Sequence, residues 1–307
     1  MNLKEETIWI AGHNGMVGQA LCKKLASLNL ITVTRKNLDL RDERAVNKWM
    51  QEYRPSVIIL AAARVGGIKA NSENPVAFLL DNLKIQNSVL QAAAKNGAKR
   101  LLFLGSACSY PRKTEMPIKE KFLMQGEPEP TNIWYATAKI AGIKLAQALR
   151  QENKLDTIVA MPTNAYGPGD NFSEEGHVIP ALIKRFNKAS KDNEKTVTIW
   201  GTGKPLREFI YVDDLAEALI FLIENYNSTE IINVGSGTEI SILELAKLIA
   251  DITNFTGNIE VDPSKPDGAS RKLLDSNRIR SLGWKSNTML EHGIKETFRW
   301  AKEEQII

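Results

Sequence analysis

A glycine triplet between an apolar strand and a helix constrains this chain more than any other feature of its sequence. Residues 7–11, Thr-Ile-Trp-Ile-Ala, are typical of a buried strand, and a helical pattern runs from Gln19 to Ala26. Glycines also mark plain turns, but between a first strand and a first helix they let a pyrophosphate approach the backbone and the free N–H groups of the helix. The pattern therefore predicts a dinucleotide site formed by Gly12, His13, Asn14, Gly15, Met16, Val17 and Gly18.

Strand-like and helical patterns alternate through the first half of the chain. Apolar runs typical of buried parallel strands occur at residues 57–60, 100–104 and 157–161, with a long helix predicted at 82–96. This alternation predicts an α/β fold with a doubly wound parallel sheet of the Rossmann type and a smaller, mixed C-terminal domain. We expect a nucleotide-binding domain at 1–165, with returning segments near 198–235, and a substrate-binding domain at 166–197 and 236–307.

Capping signals predict where two later helices start. Asp213 or Asp214 is expected to N-cap a helix that begins near Leu215. Ser241 and Glu244 have the spacing of a capping box. In contrast, residues 162–171 contain many turn-forming residues, which predicts an irregular loop where the chain leaves the nucleotide domain.

The composition is that of a globular protein of 307 residues, with 43% apolar and 25% charged residues. No apolar run approaches the ~20 residues that cross a bilayer, and the acidic start predicts no signal peptide, so we expect a cytoplasmic protein without a membrane partner. The net charge of +4 comes without a basic tract, which argues against a nucleic-acid partner. Cys22 and Cys108 are too few for a metal or disulfide framework, so no metal is expected.

The residues after the second predicted strand, 30–34, indicate which dinucleotide is bound. Arg35 and Lys36 stand where an NAD site usually presents an acidic residue to the ribose 2′-hydroxyl, and cations there suit a 2′-phosphate, as in NADP. A solvated strand end is the alternative interpretation. Asp39 is expected near the adenine. Small residues after strand 57–60 would let the cofactor lie against the backbone, namely Ala61, Ala62 and Ala63.

Tyr135, Lys139 and Ser106 are the candidate reactive groups. Tyr135 and Lys139 are four residues apart on a predicted helix, so they share one face, and a nearby ammonium is expected to lower the pKa of the phenol. Ser106 follows the strand at 100–104, at the sheet edge where α/β proteins hold their ligands. A lone Tyr-x-x-x-Lys pair also occurs on ordinary solvated helix faces. The glycine turn and Ser106 make a catalytic interpretation the favoured one.

Several longer motifs extend this pattern over nearly the whole chain. They occupy residues 11–18, 62–68, 104–111, 135–142, 177–182 and 265–272. Together they resemble the extended short-chain dehydrogenase/reductase family. Within that family they are most similar to members that epimerise GDP-4-keto-6-deoxy-D-mannose at C3 and C5 and then reduce C4 with NADPH. The resemblance implies a GDP-sugar substrate, NADPH as cofactor and a homodimer that forms through a helix pair including the Tyr135 helix.

The resemblance also implies a role for each reactive residue. Tyr135 donates a proton to the C4 oxygen, Lys139 holds the nicotinamide ribose, and Ser106 hydrogen-bonds the ketone. Cys108 and His177 serve as the acid and base of epimerisation, with their order left open. A 4-keto group acidifies the protons on C3 and C5 because it makes an enolate available, and hydrogen-bond donors at its oxygen would stabilise that enolate.

The implied binding residues fall into two groups. Those for the cofactor are the glycine turn, Arg35, Lys36, Asp39, Leu40, Ala61, Ala62, Ala63, Leu104, Gly105, Lys139, Pro162, Thr163, Asn164, Ala165 and His177. Those for the GDP-sugar are Asn164, Arg185, Trp200, Arg207, Asp267 and Lys272, although Trp200 would also suit a core aromatic. Two positions depart from the family pattern: Asn14 replaces an Arg that touches the 2′-phosphate, and Ala107 replaces a Ser.

Two other functions compete with this hypothesis. A sugar epimerase or 4,6-dehydratase would share the fold, but a dehydratase is expected to carry an acidic pair after its active Ser, where this chain has Ala107 and Cys108. A non-catalytic NADP-binding sensor would have no need to keep all five reactive residues together. The sequence therefore favours the double epimerase and reductase.

Overall fold

The computed structural model describes residues 1–173, 176–265 and 267–307, and for residues 68 and 69 it describes the backbone only. Pro266, part of the motif at 265–272, lies outside the described residues. Within the described ranges, no helix has the length and apolar character needed to span a membrane.

The elements follow one another in largely alternating order. The strands are β1 (Ile8–Ala11), β2 (Leu30–Ile31), β3 (Val57–Leu60), β4 (Arg100–Leu104), β5 (Asp156–Pro162), β6 (Asn164–Tyr166), β7 (Thr196–Trp200), β8 (Leu206–Tyr211), β9 (Ile232–Val234), β10 (Glu239–Ser241), β11 (Asn258–Asp262) and β12 (Arg271–Lys272). The α-helices are α1 (Met16–Lys24), α2 (Glu43–Tyr53), α3 (Ile68–Glu73), α4 (Pro75–Lys95), α5 (Ile133–Gln151), α6 (Val178–Lys191), α7 (Val212–Asn225), α8 (Ile242–Ile252), α9 (Asn277–Ser281) and α10 (Leu290–Glu303). Short 3-10 helices span Leu3–Glu5, Ala107–Ser109, Glu120–Phe122 and Pro130–Asn132.

A six-stranded parallel sheet, in the order β2-β1-β3-β4-β5-β9, forms the nucleotide-binding part of the molecule. Its strands are largely apolar because both faces are covered. Ile8 and Ile10 of β1 face a core shared with α1 and α7, whereas Trp9 and Ala11 face a core shared with α2, α4 and α5. The predicted doubly wound α/β fold is confirmed.

A second unit of short strands packs beside this sheet. β8 pairs with β6, β10 and β12, while β7 pairs with β11. These strands cover a third core, which includes Phe186 of α6, Leu245 of α8 and Ile294 of α10. We expected the chain to return to the nucleotide domain near residue 198. Instead β7 and β8 pair outside the six-stranded sheet, and the chain returns with α7 and β9.

Several predicted boundaries differ from the observed ones for local physical reasons. The first helix begins at Met16 instead of Gln19, so Gly18 lies inside it. A Cβ on Gly18 would lie 2.2 Å from the carbonyl oxygen of Gly12, so glycine is required for the helix to pack against the turn. The long helix begins at Pro75, seven residues before the predicted start, since proline is well suited to a first helical position.

Two expectations about the later part of the chain are wrong. Asn164–Tyr166 is not irregular, because it forms β6 alongside β8. The helix near Leu215 begins at Val212, with Tyr211 at the N-cap position, so neither Asp213 nor Asp214 caps it. Asp214 is instead a buried first-turn residue that accepts hydrogen bonds from residues 286–288. The predicted capping box of Ser241 and Glu244 is present.

Candidate active site

One cavity of about 630 Å³ lies at the carboxyl edge of the six-stranded sheet, within the size range of ligand pockets. Its wall includes the glycine turn after β1, residues 61–66 after β3, the ends of β4 and β5, and part of the segment before α6. Nearly all of the predicted cofactor residues line it: residues 12–18, Arg35, Asp39, Leu40, Ala61, Ala62, Ala63, Leu104, Gly105, Lys139, Pro162, Thr163, Asn164, Ala165 and His177. Lys36 is the exception, since it is exposed and lies outside this wall.

The glycine turn lies tightly against the end of β3. Gly12 has a φ of +101°, and a Cβ on it would lie 2.5 Å from the backbone nitrogen of Ala62. Gly15 stands at the N-cap position of α1 without a side-chain hydrogen bond, and the first turn carries no acidic residue. No capping side chain therefore accepts a hydrogen bond from the first N–H groups of α1, and these donors can bind a phosphate.

Two arginines and two aspartates form an ion-pair chain at the far end of the same cavity. Arg41 holds Asp39 through its Nε, 3.0 Å from Oδ1, and reaches Asp81 at 3.1 Å. Arg64 binds the other oxygen of Asp81 at 3.2 Å. The hydrogen bond from Arg41 lowers the pKa of Asp39 to about 2. Sequence reasoning missed Arg41 and Arg64, because neither stands at the predicted strand end.

Ser106, Tyr135 and Lys139 meet where β4 ends. The Ser106 Oγ accepts a hydrogen bond from the backbone N–H of Cys108 at 3.1 Å, which fixes the hydroxyl at the start of the 3-10 helix 107–109. Lys139 is buried, and its Nζ donates to the carbonyl oxygen of Leu104 at 2.7 Å. The ammonium lies over the Tyr135 ring, 5.8 Å from its centroid. The predicted pairing of Tyr135 and Lys139 on one helix face is therefore present.

The electrostatics of this group differ from the sequence-based expectation. Burial raises the pKa of Tyr135, the charge of a Cys108 thiolate would raise it further, and only a hydrogen bond with Ser106 lowers it. The expected lowering by Lys139 is wrong, since the ammonium lies over the ring and donates to Leu104. Burial also lowers the pKa of Lys139 itself to about 8. Tyr135 is thus a protonated phenol at neutral pH, suited to donate a proton.

Cys108 and His177 line the same cavity as Ser106 and Tyr135. Cys108 is a partly buried free thiol. His177 stands at the N-cap position of α6, and its Nδ1 lies 3.2 Å from the Oδ1 of Asp170. This hydrogen bond raises the pKa of the imidazole. Asp170 was not singled out from the sequence, because it stands in the turn-rich segment at 162–171.

Of the predicted sugar-nucleotide residues, only Asn164 lines this cavity. Arg207 and Lys272 lie side by side on β8 and β12, where they are register partners. Arg207 donates to the carbonyl oxygen of Asp267 at 3.3 Å, and Asp267 accepts from the backbone N–H of Thr202 at 2.7 Å. These contacts form a second group of polar side chains at the edge of the β8 sheet.

Arg207 links this second group to the cavity. Burial lowers the pKa of its guanidinium, while Glu129, Asp267 and the charge of a Cys108 thiolate act in the opposite direction. Arg207 therefore lies close enough to Cys108 for their charges to interact.

The other two predicted residues lie on or beside β7. Trp200 is 56% exposed, with the Nζ of Lys265 located 5.8 Å from its ring centroid, so the alternative of a core aromatic is excluded. Arg185 donates to the carbonyl oxygen of Thr198 at 2.7 Å. Both side chains are exposed, and Trp200 directly precedes Gly201, which lies against Asp267.

Comparisons with known proteins find relatives over nearly the whole chain. Residues 8–235 match the model of the NAD dependent epimerase/dehydratase family. The chain is 49% identical over 304 residues to the probable GDP-L-fucose synthase 1 of Oryza sativa subsp. japonica, covering 97% of this chain and 93% of the relative. A GDP-L-fucose synthetase from Naegleria fowleri bound to NADP is 32% identical, with a TM-score of 0.90, over 100% of this chain and 97% of that one. A GDP-6-OMe-4-keto-L-xylo-heptose reductase from C. jejuni is 33% identical, with a TM-score of 0.94, over 99% of each chain.

Proposed function

The chain belongs to the NAD dependent epimerase/dehydratase family, and from that premise we propose that it converts GDP-4-keto-6-deoxy-D-mannose to GDP-L-fucose. The reaction is an epimerisation at C3 and C5, followed by NADPH-dependent reduction at C4. The observation that carries the proposal is that Ser106, Cys108, Tyr135, Lys139 and His177 line one cavity together with the glycine turn. The similarity to GDP-L-fucose synthases over nearly the full chain supports the same function.

The residues of the cavity fit NADPH. In the glycine turn, Gly12 lies so close to the backbone of Ala62 that a side chain with a Cβ would not fit. The start of α1 offers free N–H groups to the pyrophosphate. Arg35 and Arg41 supply positive charge for a 2′-phosphate, and Arg41 also pairs with Asp39, whose carboxylate would otherwise repel that phosphate. When bound, NADPH supplies the hydride for reduction of the C4 ketone.

Ser106 and Tyr135 are the groups that would act on the C4 oxygen. The Ser106 hydroxyl is fixed by the N–H of Cys108, and Tyr135 lies close enough to Ser106 for that hydroxyl to lower the pKa of the phenol. Because burial keeps Tyr135 protonated, it can deliver its proton to the oxygen as the alkoxide forms. Lys139 fixes this face of α5 against the end of β4, since its ammonium donates to the carbonyl oxygen of Leu104.

The same two donors serve the epimerisation. Removing a proton from C3 or C5 places negative charge on the C4 oxygen as an enolate, and two hydrogen-bond donors aimed at that oxygen stabilise it. Cys108 and His177 line the cavity and are the candidates for removing and returning the protons. Reprotonation on the opposite side of each carbon inverts its configuration. Inversion therefore requires one group to remove the proton and a second group to return it, and Cys108 and His177 can fill these two roles.

The GDP portion of the substrate is assigned to the edge of the β8 sheet. Arg207 can clasp diphosphate oxygens with two parallel N–H groups, and burial of the guanidinium strengthens such a contact. Trp200 offers an exposed ring, and Lys272 lies beside Arg207 in the next strand. Since Arg207 also lies near Cys108, a diphosphate held there brings the attached sugar to the reactive residues.

A related GDP-sugar reductase is the second candidate, because solved structures of GDP-heptose reductases share the fold at 33–35% identity. Such a reductase needs Ser106, Tyr135 and Lys139, but it has no use for a second proton-transfer pair. The presence of Cys108 and His177 at the cavity favours the double epimerase. A dehydratase is less consistent, as Ala107 and Cys108 supply no acidic pair after Ser106.

The direct test is incubation with GDP-4-keto-6-deoxy-D-mannose and NADPH, following absorbance at ~340 nm and the sugar configuration by NMR. We expect stoichiometric NADPH oxidation and a product with the L-galacto configuration. NADPH oxidation with the D-configuration retained would identify a plain reductase, and no oxidation would contradict the proposal. GDP-4-keto-heptose, tested in parallel, should be used much more slowly.

We also propose that the protein acts as a homodimer in a reducing compartment, the cytoplasm. α4 and α5 pack side by side, and exposed apolar side chains stand near their first turns, namely Val76, Leu80 and Trp134. Burying such residues between two copies would stabilise a dimer. Proton transfer by Cys108 requires a free thiol, which a reducing compartment preserves. Light scattering coupled to size-exclusion chromatography distinguishes a dimer of about 68 kDa from the 34.2 kDa chain.

A further inference from the structure

The buried carboxylate of Asp170 pairs with the solvent-accessible imidazole of His177. The Asp170 side chain is 3% exposed, whereas the His177 side chain is 44% exposed. Both line the cavity. We propose that Asp170 is a positioning residue that orients His177 for epimerisation, so that Nε2 is the nitrogen that exchanges protons with the sugar. This inference rests on the function proposed above.

The tautomer follows from the chemistry of the two groups. An ionised carboxylate only accepts hydrogen bonds, so the Nδ1 of His177, 3.2 Å from Oδ1 of Asp170, must carry a proton. Nε2 is then the nitrogen left to gain or lose a proton. A partner at the second ring nitrogen orients catalytic and metal-binding histidines in the same way.

The position of Asp170 is set by its neighbours in the loop. Its Oδ1 also accepts the backbone N–H of Asn171 at 2.8 Å. Gly169 has a φ of +86°, and a Cβ on it would lie 3.2 Å from the Cα of Met16 at the start of α1. The loop therefore lies directly on the glycine turn, which fixes the carboxylate relative to the cofactor end of the cavity.

The burial of Asp170 makes the imidazole its charge partner. A buried carboxylate is unfavourable unless it is paired, and within the described residues the ion pair of Asp170 is the one with His177. Its Oδ2 is buried and makes no hydrogen bond to any described residue. The other titratable groups on the cavity wall are Cys108, Tyr135 and Lys139 among the reactive residues and His13 in the glycine turn. The charged groups at the cofactor end of the wall are Arg35, Asp39, Arg41, Arg64 and Asp81. An imidazolium at His177 thus relieves the unpaired charge of Asp170.

The first experiment needs no substrate. The chain has three histidines, so ¹⁵N NMR can follow each ring as pH changes in the NADPH-bound protein, with His177→Gln identifying the signal of His177. We expect His177 to titrate at lower pH in Asp170→Asn than in the wild type, because the amide carries no charge. Asp192→Asn, at an exposed aspartate on the surface, is the matched control and should leave the titration unchanged. An identical titration in Asp170→Asn would overturn the proposal.

The second experiment measures proton exchange from D₂O into the 4-keto sugar. In Asp170→Asn we expect at least about tenfold slower exchange, a pH profile moved to lower pH and an unchanged KM for NADPH. If the pH profile of exchange in Asp170→Asn is the same as in the wild type, the positioning role of Asp170 is contradicted. Should the Asn variant fail to fold, Asp170→Glu keeps the carboxylate and should retain the raised His177 titration, and its loss would contradict the pairing. If the wild type shows no exchange while the NMR result holds, the proposed function fails and the pairing stands.

Discussion

The Lys139 ammonium on α5 donates a hydrogen bond to the carbonyl oxygen of Leu104, the last residue of β4, at 2.7 Å. This bond ties the helix that carries Tyr135 to the strand that leads into Ser106. The two hydroxyls that act on the substrate ketone are therefore held together by one buried cation. The same cation lies over the phenol ring of Tyr135, 5.8 Å from its centroid.

Lys139→Met should lower the rate of NADPH oxidation by about 10²-fold or more while the protein stays folded. Methionine fills a similar volume, but it carries no positive charge and donates no hydrogen bond to the carbonyl oxygen of Leu104. Steady-state kinetics and thermal unfolding measure the two effects. Lys144→Met, at an exposed lysine on the same helix, is the matched control and should keep wild-type activity. Equal activity in both variants would contradict the role of Lys139.

The depressed pKa of Lys139 predicts how activity depends on pH. Reduction should slow as pH rises through about 8, because the amine loses its charge there. The free energy of unfolding should increase over the pH range in which the activity falls. An unfolded lysine titrates near ~10.4, so between about 8 and ~10.4 the unfolded chain binds more protons and the free energy of unfolding rises with pH. Urea unfolding of wild type and Lys139→Met across this range checks the effect, which the variant should lack.

Tyr135→Phe should reduce NADPH oxidation by about 10²- to 10⁴-fold, since the proton donor to C4 is lost. Proton exchange on the sugar should persist at a lower rate, because Ser106 remains to stabilise the enolate. Stopped-flow absorbance measures the first effect and NMR in D₂O the second. Full-rate oxidation by the variant would mean that another group supplies the proton.

Arg35→Ala and Arg41→Ala should each narrow the preference for NADPH over NADH, with the double variant narrowing it further. Both arginines line the cofactor end of the cavity, and Arg41 also neutralises Asp39. Lys36→Ala is the control, because Lys36 lies outside the cavity wall and its loss should leave the preference unchanged. The ratio of kcat/KM for the two cofactors is the measurement. If only Lys36→Ala lowered the preference for NADPH, then Lys36, and not Arg35 or Arg41, would be the residue that binds the 2′-phosphate.

The sequence predicts those parts of the molecule that depend on local pattern. The alternating apolar strands and the glycine turn were sufficient for the doubly wound fold, since a strand such as β1 must be covered on both faces. Strand pairing at long range could not be deduced in this way. β7 has the composition of any short strand, and only its partner β11, some 60 residues later, places it outside the main sheet.

The site shows the same division. Apart from Lys36, the residues predicted at strand ends, Ser106 among them, line the cavity as expected. Arg41 and Asp170 were missed because their positions depend on turns that follow or precede regular elements by several residues. The pKa of Tyr135 was misjudged because sequence spacing reports that a lysine is near, but not whether its ammonium faces the phenol oxygen or the ring.

The most direct test of the account is a single turnover in D₂O with unlabelled NADPH, with the product analysed by NMR. Combined epimerisation and reduction in one cavity predicts deuterium at both C3 and C5 of the product sugar and ordinary hydrogen at C4. Cys108→Ser should bind NADPH normally but lose most of this labelling. Complete reduction by the wild type with no deuterium at either carbon would contradict the account.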